Sequence, residues 1–165
     1  MIQYRRLKRN DVKQVQSVAL RSWRFTYKKI WSAKSIERRV STDYSDQSFD
    51  EHVFPRIQKG VDWFYVALES NRLVGYSYIT RSKMGWELVR IYLLPEYIGK
   101  GIGKKLLQLG ENFLRRKKAN GYYVFAHRRN RHAVEFYIRN GFARSTSKDT
   151  GGEVCLEKRS LKHWT

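Results

Sequence analysis

Gly99, Gly101 and Gly103 stand at alternate positions in LLPEYIGKGIGKKLL (residues 93–107), interleaved with Lys100 and Ile102 and followed by Lys104 and Lys105. Two roles suit that run. Glycine lacks the Cβ that would hold a ligand away from the main chain. The first turn of a helix leaves amide N–H groups unpaired at the positive end of the helix dipole. Such a turn can cradle a pyrophosphate, and the lysines add full charges nearby. The same run also serves as a strand-to-helix turn that needs only permissive φ and ψ. Spacing excludes two other phosphate loops: neither Gly99-Lys100 nor Gly103-Lys104 is followed by Ser or Thr, as a Walker loop requires. A dinucleotide fingerprint needs a third glycine three residues after the second, where this chain has Lys104 or Leu106.

Other reactive side chains form no such pattern. His52, His127, His132 and His163 are scattered without metal-ligand spacing, so no metal site is expected. Cys155 lies in the strand-like EVCLEK, and an acyl-cysteine route lacks an identifiable histidine partner. The acidic cluster DYSDQSFDE (43–51) either gathers a polycation or caps a helix at Ser45, and capping is preferred.

The chain has 165 residues, enough to bury a real core, and is expected to form a single domain over 1–165. No apolar run reaches the roughly 20 residues of a membrane span, and the start, MIQYRRLKRNDV, has no apolar stretch of signal-peptide length. With one cysteine there is no internal disulfide, and a cytoplasmic location is expected. Net charge is +19. Residues 1–60 carry 14 basic and 6 acidic side chains, 61–98 carry 4 of each, and 99–165 carry 16 and 5. Such a field attracts polyanions, or simply keeps a solvated surface soluble. A nucleic-acid- or ribosome-associated binding protein is therefore the rival reading, although no RNA or DNA module is recognisable.

The elements that must position these residues follow from periodicity. IQYRRL alternates as a strand, and NDVKQVQSVALRSWRFTY is a helix with Asn10 or Asp11 at its N-cap and Val12, Val15, Val18, Ala19 and Trp23 on one stripe. Residues 33–59 form one or two further helices. DWFYVALES (62–70) and RLVGYSYIT (72–80) form a hairpin about Asn71, and WELVRIYLL (86–94) is a strand closed by Pro95. A helix from about 101 to 118 buries Ile102, Leu106, Leu109 and Phe113 and stops at Asn120-Gly121. YYVFAH is a strand, Asn130 opens a helix ended by Gly141, and ARSTS with EVCLEK closes as a hairpin around Gly151-Gly152. The order specifies an α+β or α/β domain built on one mixed sheet.

Two segments together, LVRIYLLPEYIGKGIGKKLL and NRHAVEFYIRNGF, resemble the acyl-CoA-binding core of the GNAT N-acetyltransferase superfamily. The pattern Asn-x-x-Ala-x-x-Phe-Tyr-x-x-x-Gly-Phe is met in full by Asn130, Ala133, Phe136, Tyr137, Gly141 and Phe142. In Arg/Gln-x-x-Gly-x-Gly/Ala, Gly101 and Gly103 match and Ile98 replaces the first residue, removing a side-chain contact but not the main-chain cradle. RSWRFTYKKIW (21–31) resembles the matching segment of the PaiA-like polyamine acetyltransferase branch.

The resemblance implies a mostly antiparallel central sheet flanked by helices, with strands splayed at the cofactor cleft. It implies direct transfer of an acetyl group from acetyl-CoA to a primary amine of a small, polyamine-like molecule or a peptide. Ile91, Tyr92 and Leu93 would pair with the pantetheine arm, with one amide, that of Leu93, polarising the thioester carbonyl. Gly99, Lys100, Gly101, Ile102, Gly103 and Lys104 would hold the pyrophosphate. Asn130 would hydrogen-bond pantetheine, and Tyr137 would protonate the leaving thiolate. Glu87 aligns with the general base of histone-acetylating members, or is a half-exposed strand carboxylate. Its even spacing from Leu93 predicts that the two share a sheet face. Members that acetylate protein N-termini carry a glutamate where this chain has Phe125. Trp23, Tyr27 and Trp31, with Phe25, line an acceptor groove or the apolar side of the first helix. No membrane partner is expected, and the enzyme is expected to be a monomer or homodimer.

Overall fold

The computed structural model describes residues 1–161, so His163 lies outside the described residues. Strands β1 (Ile2–Arg6), β2 (Trp63–Glu69), β3 (Arg72–Ser82), β4 (Gly85–Leu93), β5 (Tyr122–His127), β6 (Ala143–Arg144) and β7 (Glu153–Lys158) form one sheet. Its order is β1-β2-β3-β4-β5-β7-β6. Every neighbouring pair is antiparallel except β4 and β5, which are parallel. The expected mixed, mostly antiparallel sheet is thus found, and the closing hairpin inserts β7 between β5 and the two-residue β6. The β2–β3 turn forms as expected: Ser70 and Asn71 take φ of +46° and +66°, the left-handed pair that a tight two-residue hairpin demands.

Helices α1 (Val12–Tyr27), α2 (Ala33–Asp43), α3 (Asp46–Ser48) and α4 (Phe54–Gln58) precede β2, with a π turn at Phe49–Val53 joining the last two. Helices α5 (Ile102–Arg116) and α6 (Arg131–Arg139) flank β5. The two faces of the sheet are covered separately. On one, the Tyr76 hydroxyl of β3 donates to that of Tyr44, just past α2, at 2.8 Å. On the other, Trp86 of β4 meets Phe113 of α5 edge-on with centroids 5.6 Å apart. None of the described helices is long and apolar enough to cross a membrane.

Three local expectations are refined. Asp11 does not cap α1. Its carboxylate instead accepts the Lys8 N–H at 2.7 Å and two bonds from the Arg5 guanidinium, which hold its pKa below the usual range against the effect of burial. Helix α5 ends through Lys118, at φ +55°, and not through Gly121. Ser45 does cap the following turn, its hydroxyl accepting the Ser48 N–H at 3.0 Å. Two acids of the cluster around it are paired with α1 and the turn before it: Asp46 with Lys13 and Asp50 with Arg9.

Candidate active site

Among the described residues β4 and β5 pair at one register position only, Glu87 opposite Tyr123. Beyond it the strands separate toward Leu93 and His127. The gap is occupied by a cavity of about 640 Å³ whose lining includes Tyr27, Leu93, Phe125, Asn130, Phe136 and Tyr137. The ladder to β3 tells which main-chain groups of β4 face it. Leu94 N–H donates to Val74 O at 2.8 Å, and an antiparallel ladder alternates bonded with non-bonded pairs. Tyr92 opposite Tyr76 is therefore a bonded pair, whereas Leu93 opposite Gly75 and Ile91 opposite Ser77 turn their N–H and C=O groups away from β3 into the gap. Leu93 and Ile91 thus offer the main-chain edge expected of them. Tyr92 offers its side chain, because its peptide groups belong to β3.

Pro95 closes β4, and a short turn leads to α5. Gly99 and Gly101 both have φ +82°, and a Cβ added at either would meet nothing within 4 Å. The conformation demands glycine and the space beside it is open. Lys105 N–H makes the first intrahelical bond, to Gly101 O at 3.0 Å, so the amides of Ile102 and Gly103 precede the ladder and are available to an anion. Gly103 differs from its neighbours. A Cβ there would lie 3.2 Å from the Phe136 ring, so this glycine lets α5 approach α6. The Ile102 side chain is buried, which leaves only its amide for a ligand. Lys100 stands 5.0 Å over the Tyr97 ring, and Lys104 is exposed on the first turn. An open, left-handed glycine turn at a helix start, beside an unpaired strand edge, fits the diphosphate and amide-bearing arm of coenzyme A.

Asn130 caps α6, its Oδ1 accepting Ala133 N–H at 3.2 Å, and its side chain lines the cavity beside Tyr27. Two turns later Tyr137 is buried and lines the cavity. Among the described residues its hydroxyl has no hydrogen-bond partner. Burial, and then the neighbouring Tyr27, push its pKa well above the ordinary tyrosine value. The phenol therefore keeps its proton below the ordinary tyrosine pKa. Tyr27 shares a 3.3 Å hydroxyl contact with Tyr92. Burial also raises its pKa, and its hydrogen-bonding neighbours Tyr92 and Asn130 partly offset the rise.

Glu87 is half-buried and accepts the Tyr123 hydroxyl at 3.1 Å. Burial raises its pKa, the Tyr123 bond opposes this, and the charge of Glu153 adds to it. The expectation that Glu87 and Leu93 share a face is overturned. Glu87 pairs with Thr80 and Leu93 with Gly75, so six residues of β4 run against five of β3. The register shift after Tyr78 leaves Val89 as the extra residue, a β-bulge that reverses the alternation. Glu87 consequently lies on the face of Arg90, whose guanidinium stacks 4.0 Å over the Tyr44 ring, and Leu93 on the α5 face.

The aromatic segment packs as one cluster. Tyr27 stacks on Trp31 at 4.5 Å and meets Trp23 edge-on at 5.1 Å, and Trp31 touches the His127 ring at 5.4 Å. Tyr27 lines the cavity together with the exposed Phe25. Trp23 and Trp31 are half-buried against the core, and Arg39 covers Trp31 at 4.5 Å. Tyr27 and Phe25 thus face the cavity, whereas Trp23 and Trp31 pack on the apolar side of α1. Among the described residues no three His, Cys, Asp or Glu side chains converge on a metal-sized site.

Two features were missed from sequence. Val89 carries no mark of a bulge, because the bulge depends on its pairing with β3. Ser22 did carry a signal, a hydroxyl on the apolar stripe of Val15, Val18 and Ala19, and it is 3% exposed.

A splayed β4–β5 pair, a glycine turn opening α5 and a capped α6 bearing a buried tyrosine define an acyl-CoA-dependent transferase. Residues 61–144 match the acetyltransferase (GNAT) domain family. The chain belongs to that family and is an acetyl-CoA-dependent N-acetyltransferase. It is 31% identical over 159 residues to the spermidine N(1)-acetyltransferase of Thermoplasma acidophilum, covering 96% of this chain and 97% of that protein. The crystal structure of PaiA N-acetyltransferase from Thermoplasma acidophilum in complex with coenzyme A matches with a TM-score of 0.90 at 30% identity, over 96% of this chain and 99% of that one. The ribosomal-protein-S18-alanine N-acetyltransferase of Escherichia coli shares the fold, with a TM-score of 0.65 at 14% identity over 98% and 96% of the two chains.

Proposed function

We propose that this enzyme acetylates a primary amine of a small, polyamine-type molecule. In this reading Glu87 takes a proton from the acceptor's ammonium, the free amine attacks the thioester carbon as the C–S bond breaks, Leu93 N–H donates to the thioester oxygen and Tyr137 protonates the departing sulfur. The amides of Ile102 and Gly103, with Lys100 and Lys104 beside them, hold the diphosphate. The Asn130 amide and the Ile91 edge hold the pantetheine arm. Bound acetyl-CoA supplies the activated acetyl group. The carrying observation is the Leu93 N–H of β4, unpaired with β3 and turned into the cavity that Tyr137 also lines.

The acceptor class is supported by the similarity to spermidine N(1)-acetyltransferase and by two carboxylates. A net +19 chain repels a polycation at long range, so local negative charge is needed. Glu87 lies opposite Tyr123, and Glu153 opposite His127. Residues 123 and 127 share a face of β5, so both carboxylates lie on one side of the sheet, near the Trp31–His127 contact. Among the described residues neither forms an ion pair with a Lys or Arg.

Thiol release from acetyl-CoA across a panel of polyamines, aminoglycosides and N-terminal peptides tests the assignment. Turnover highest with spermidine or a related polyamine is expected. Turnover confined to peptides would refute the acceptor class while leaving the transferase intact.

A further inference from the structure

Leu93 is restrained from several directions at once. Its carbonyl accepts the Ser22 hydroxyl of α1 at 2.7 Å, across 71 residues of sequence. The next amide, Leu94 N–H, is bonded to Val74 O at 2.8 Å. Opposite it in β3, Gly75 leaves room that a Cβ would remove, for such an atom would stand 2.3 Å from Leu93 Cδ2 and 3.0 Å from Tyr92 O.

We propose that Ser22 is a positioning residue for acetyl transfer, its hydroxyl holding the Leu93 carbonyl so that the Leu93 N–H meets the thioester oxygen in a fixed direction and without a competing negative dipole. This inference rests on the role given above to the Leu93 amide.

The argument has two parts. The peptide plane before Leu93 carries the N–H in question and is held by the β3 ladder through Tyr92. The plane after it is held by Val74 at one end and by Ser22 at the other. With both planes fixed, φ and ψ of Leu93 have no freedom left, and a donor that needs no reorientation is what stabilises developing charge. Electrostatics gives the second part. The N–H and C=O of one extended residue point the same way, so the bare carbonyl oxygen would face the gap beside the amide. Its partial negative charge would oppose the charge that grows on the thioester oxygen. A hydroxyl donated to that carbonyl offsets it, and Ser22, 3% exposed, holds it in a fixed direction from α1. The position has no packing reason to be polar, since its stripe neighbours on α1 are Val15, Val18 and Ala19.

Ser22→Ala and Ser22→Thr decide the matter, with isotope-edited infrared spectroscopy of acetyl-CoA labelled at the acetyl carbonyl and bound without acceptor. In Ser22→Ala, kcat is expected to fall about tenfold, with coenzyme A affinity unchanged and melting temperature lowered only by the loss of one buried hydrogen bond. The bound carbonyl stretch should move toward its frequency in water, and Ser22→Thr should restore both readouts. Unchanged kcat and stretch in Ser22→Ala would overturn the proposal, and so would a loss that a folded Ser22→Thr fails to restore. If the threonine variant melts early because its methyl group is crowded, the infrared shift in the alanine variant decides alone. Failure of the unmutated enzyme to bind acetyl-CoA would refute the cofactor site itself, and that shows before any variant is made.

Discussion

Glu87 meets Tyr123 at the single register position where β4 and β5 still pair, and the phenol donates to the carboxylate at 3.1 Å. The bond lies at the apex of the splay and is partly buried. It works against the two influences that raise the Glu87 pKa, burial and the charge of Glu153. A carboxylate raised toward neutrality holds a proton taken from an ammonium better than an ordinary one does.

The pH dependence of kcat follows. A base must be ionised to act, so activity rises as pH climbs through the Glu87 pKa, which lies above the usual carboxylate range. Tyr123→Phe removes a donor that favours the ionised form and moves the acid limb to higher pH. Glu153→Gln removes a like charge and moves it to lower pH. Glu87→Gln abolishes the limb and lowers kcat about 100-fold. Rate profiles of the three variants with saturating acceptor check the order. A limb that stays in place in all three would take Glu87 out of the base role.

Tyr137 is expected to separate chemistry from binding. Its hydroxyl has no partner among the described residues, so Tyr137→Phe strands no buried group and should melt as the parent does. Loss of the acid should lower kcat by about 100-fold while coenzyme A affinity, measured by calorimetry, is kept. Because burial raises the phenol's pKa above 10.0, no alkaline decline of kcat below that pH is expected from this residue. An equal fall in affinity and rate would mark it as a packing residue only.

The parts of this site that were legible in sequence are those written locally. Gly99 and Gly101 specify their own left-handed turn, and Asn130 to Phe142 specify a helix with its cap and stop. Long-range pairing hid the rest. Whether Glu87 and Leu93 share a face depends on how β4 registers against β3, and one extra residue at Val89 inverts the answer without leaving a Gly or Pro as a sign. Ser22 shows the intermediate case: a polar residue in an apolar stripe announces a buried partner, but the partner is a carbonyl on a strand 71 residues away. Asp11 shows the same limit at short range, since its position suits an N-cap and only the fold brings Arg5 to it.

The fold side of the sheet has its own test at Asp62. Its side chain is fully buried and accepts two bonds from Arg56, at 2.8 and 2.9 Å, one from the Tyr78 hydroxyl at 2.5 Å and one from Thr80 at 2.9 Å. Arg56→Met leaves this carboxylate buried without its cation and should cost about 2–3 kcal/mol in urea unfolding. Arg56→Met combined with Asp62→Asn should recover part of the loss, because the neutral amide needs no counter-charge. Additive losses in the double variant would show that the pair is not coupled.

Two glycines of the α5 turn, Gly101 and Gly103, should fail in different ways. Gly101→Asp places a charged side chain where a Cβ meets nothing, so the fold tolerates it apart from about 1–2 kcal/mol of left-handed strain. The carboxylate then stands against the diphosphate, and repulsion at short range should weaken coenzyme A binding on the order of 100-fold or more. Gly103→Ala acts through packing, because its Cβ would lie 3.2 Å from the Phe136 ring. It should lower stability by about 1–2 kcal/mol through overpacking between α5 and α6, with a smaller loss of affinity. Calorimetry and thermal melts on the two variants separate the cases. If Gly101→Asp bound coenzyme A as tightly as the parent, the anion would not sit at the start of α5. If Gly103→Ala lost affinity with no loss of stability, that glycine too would belong to the phosphate cradle rather than to the helix contact.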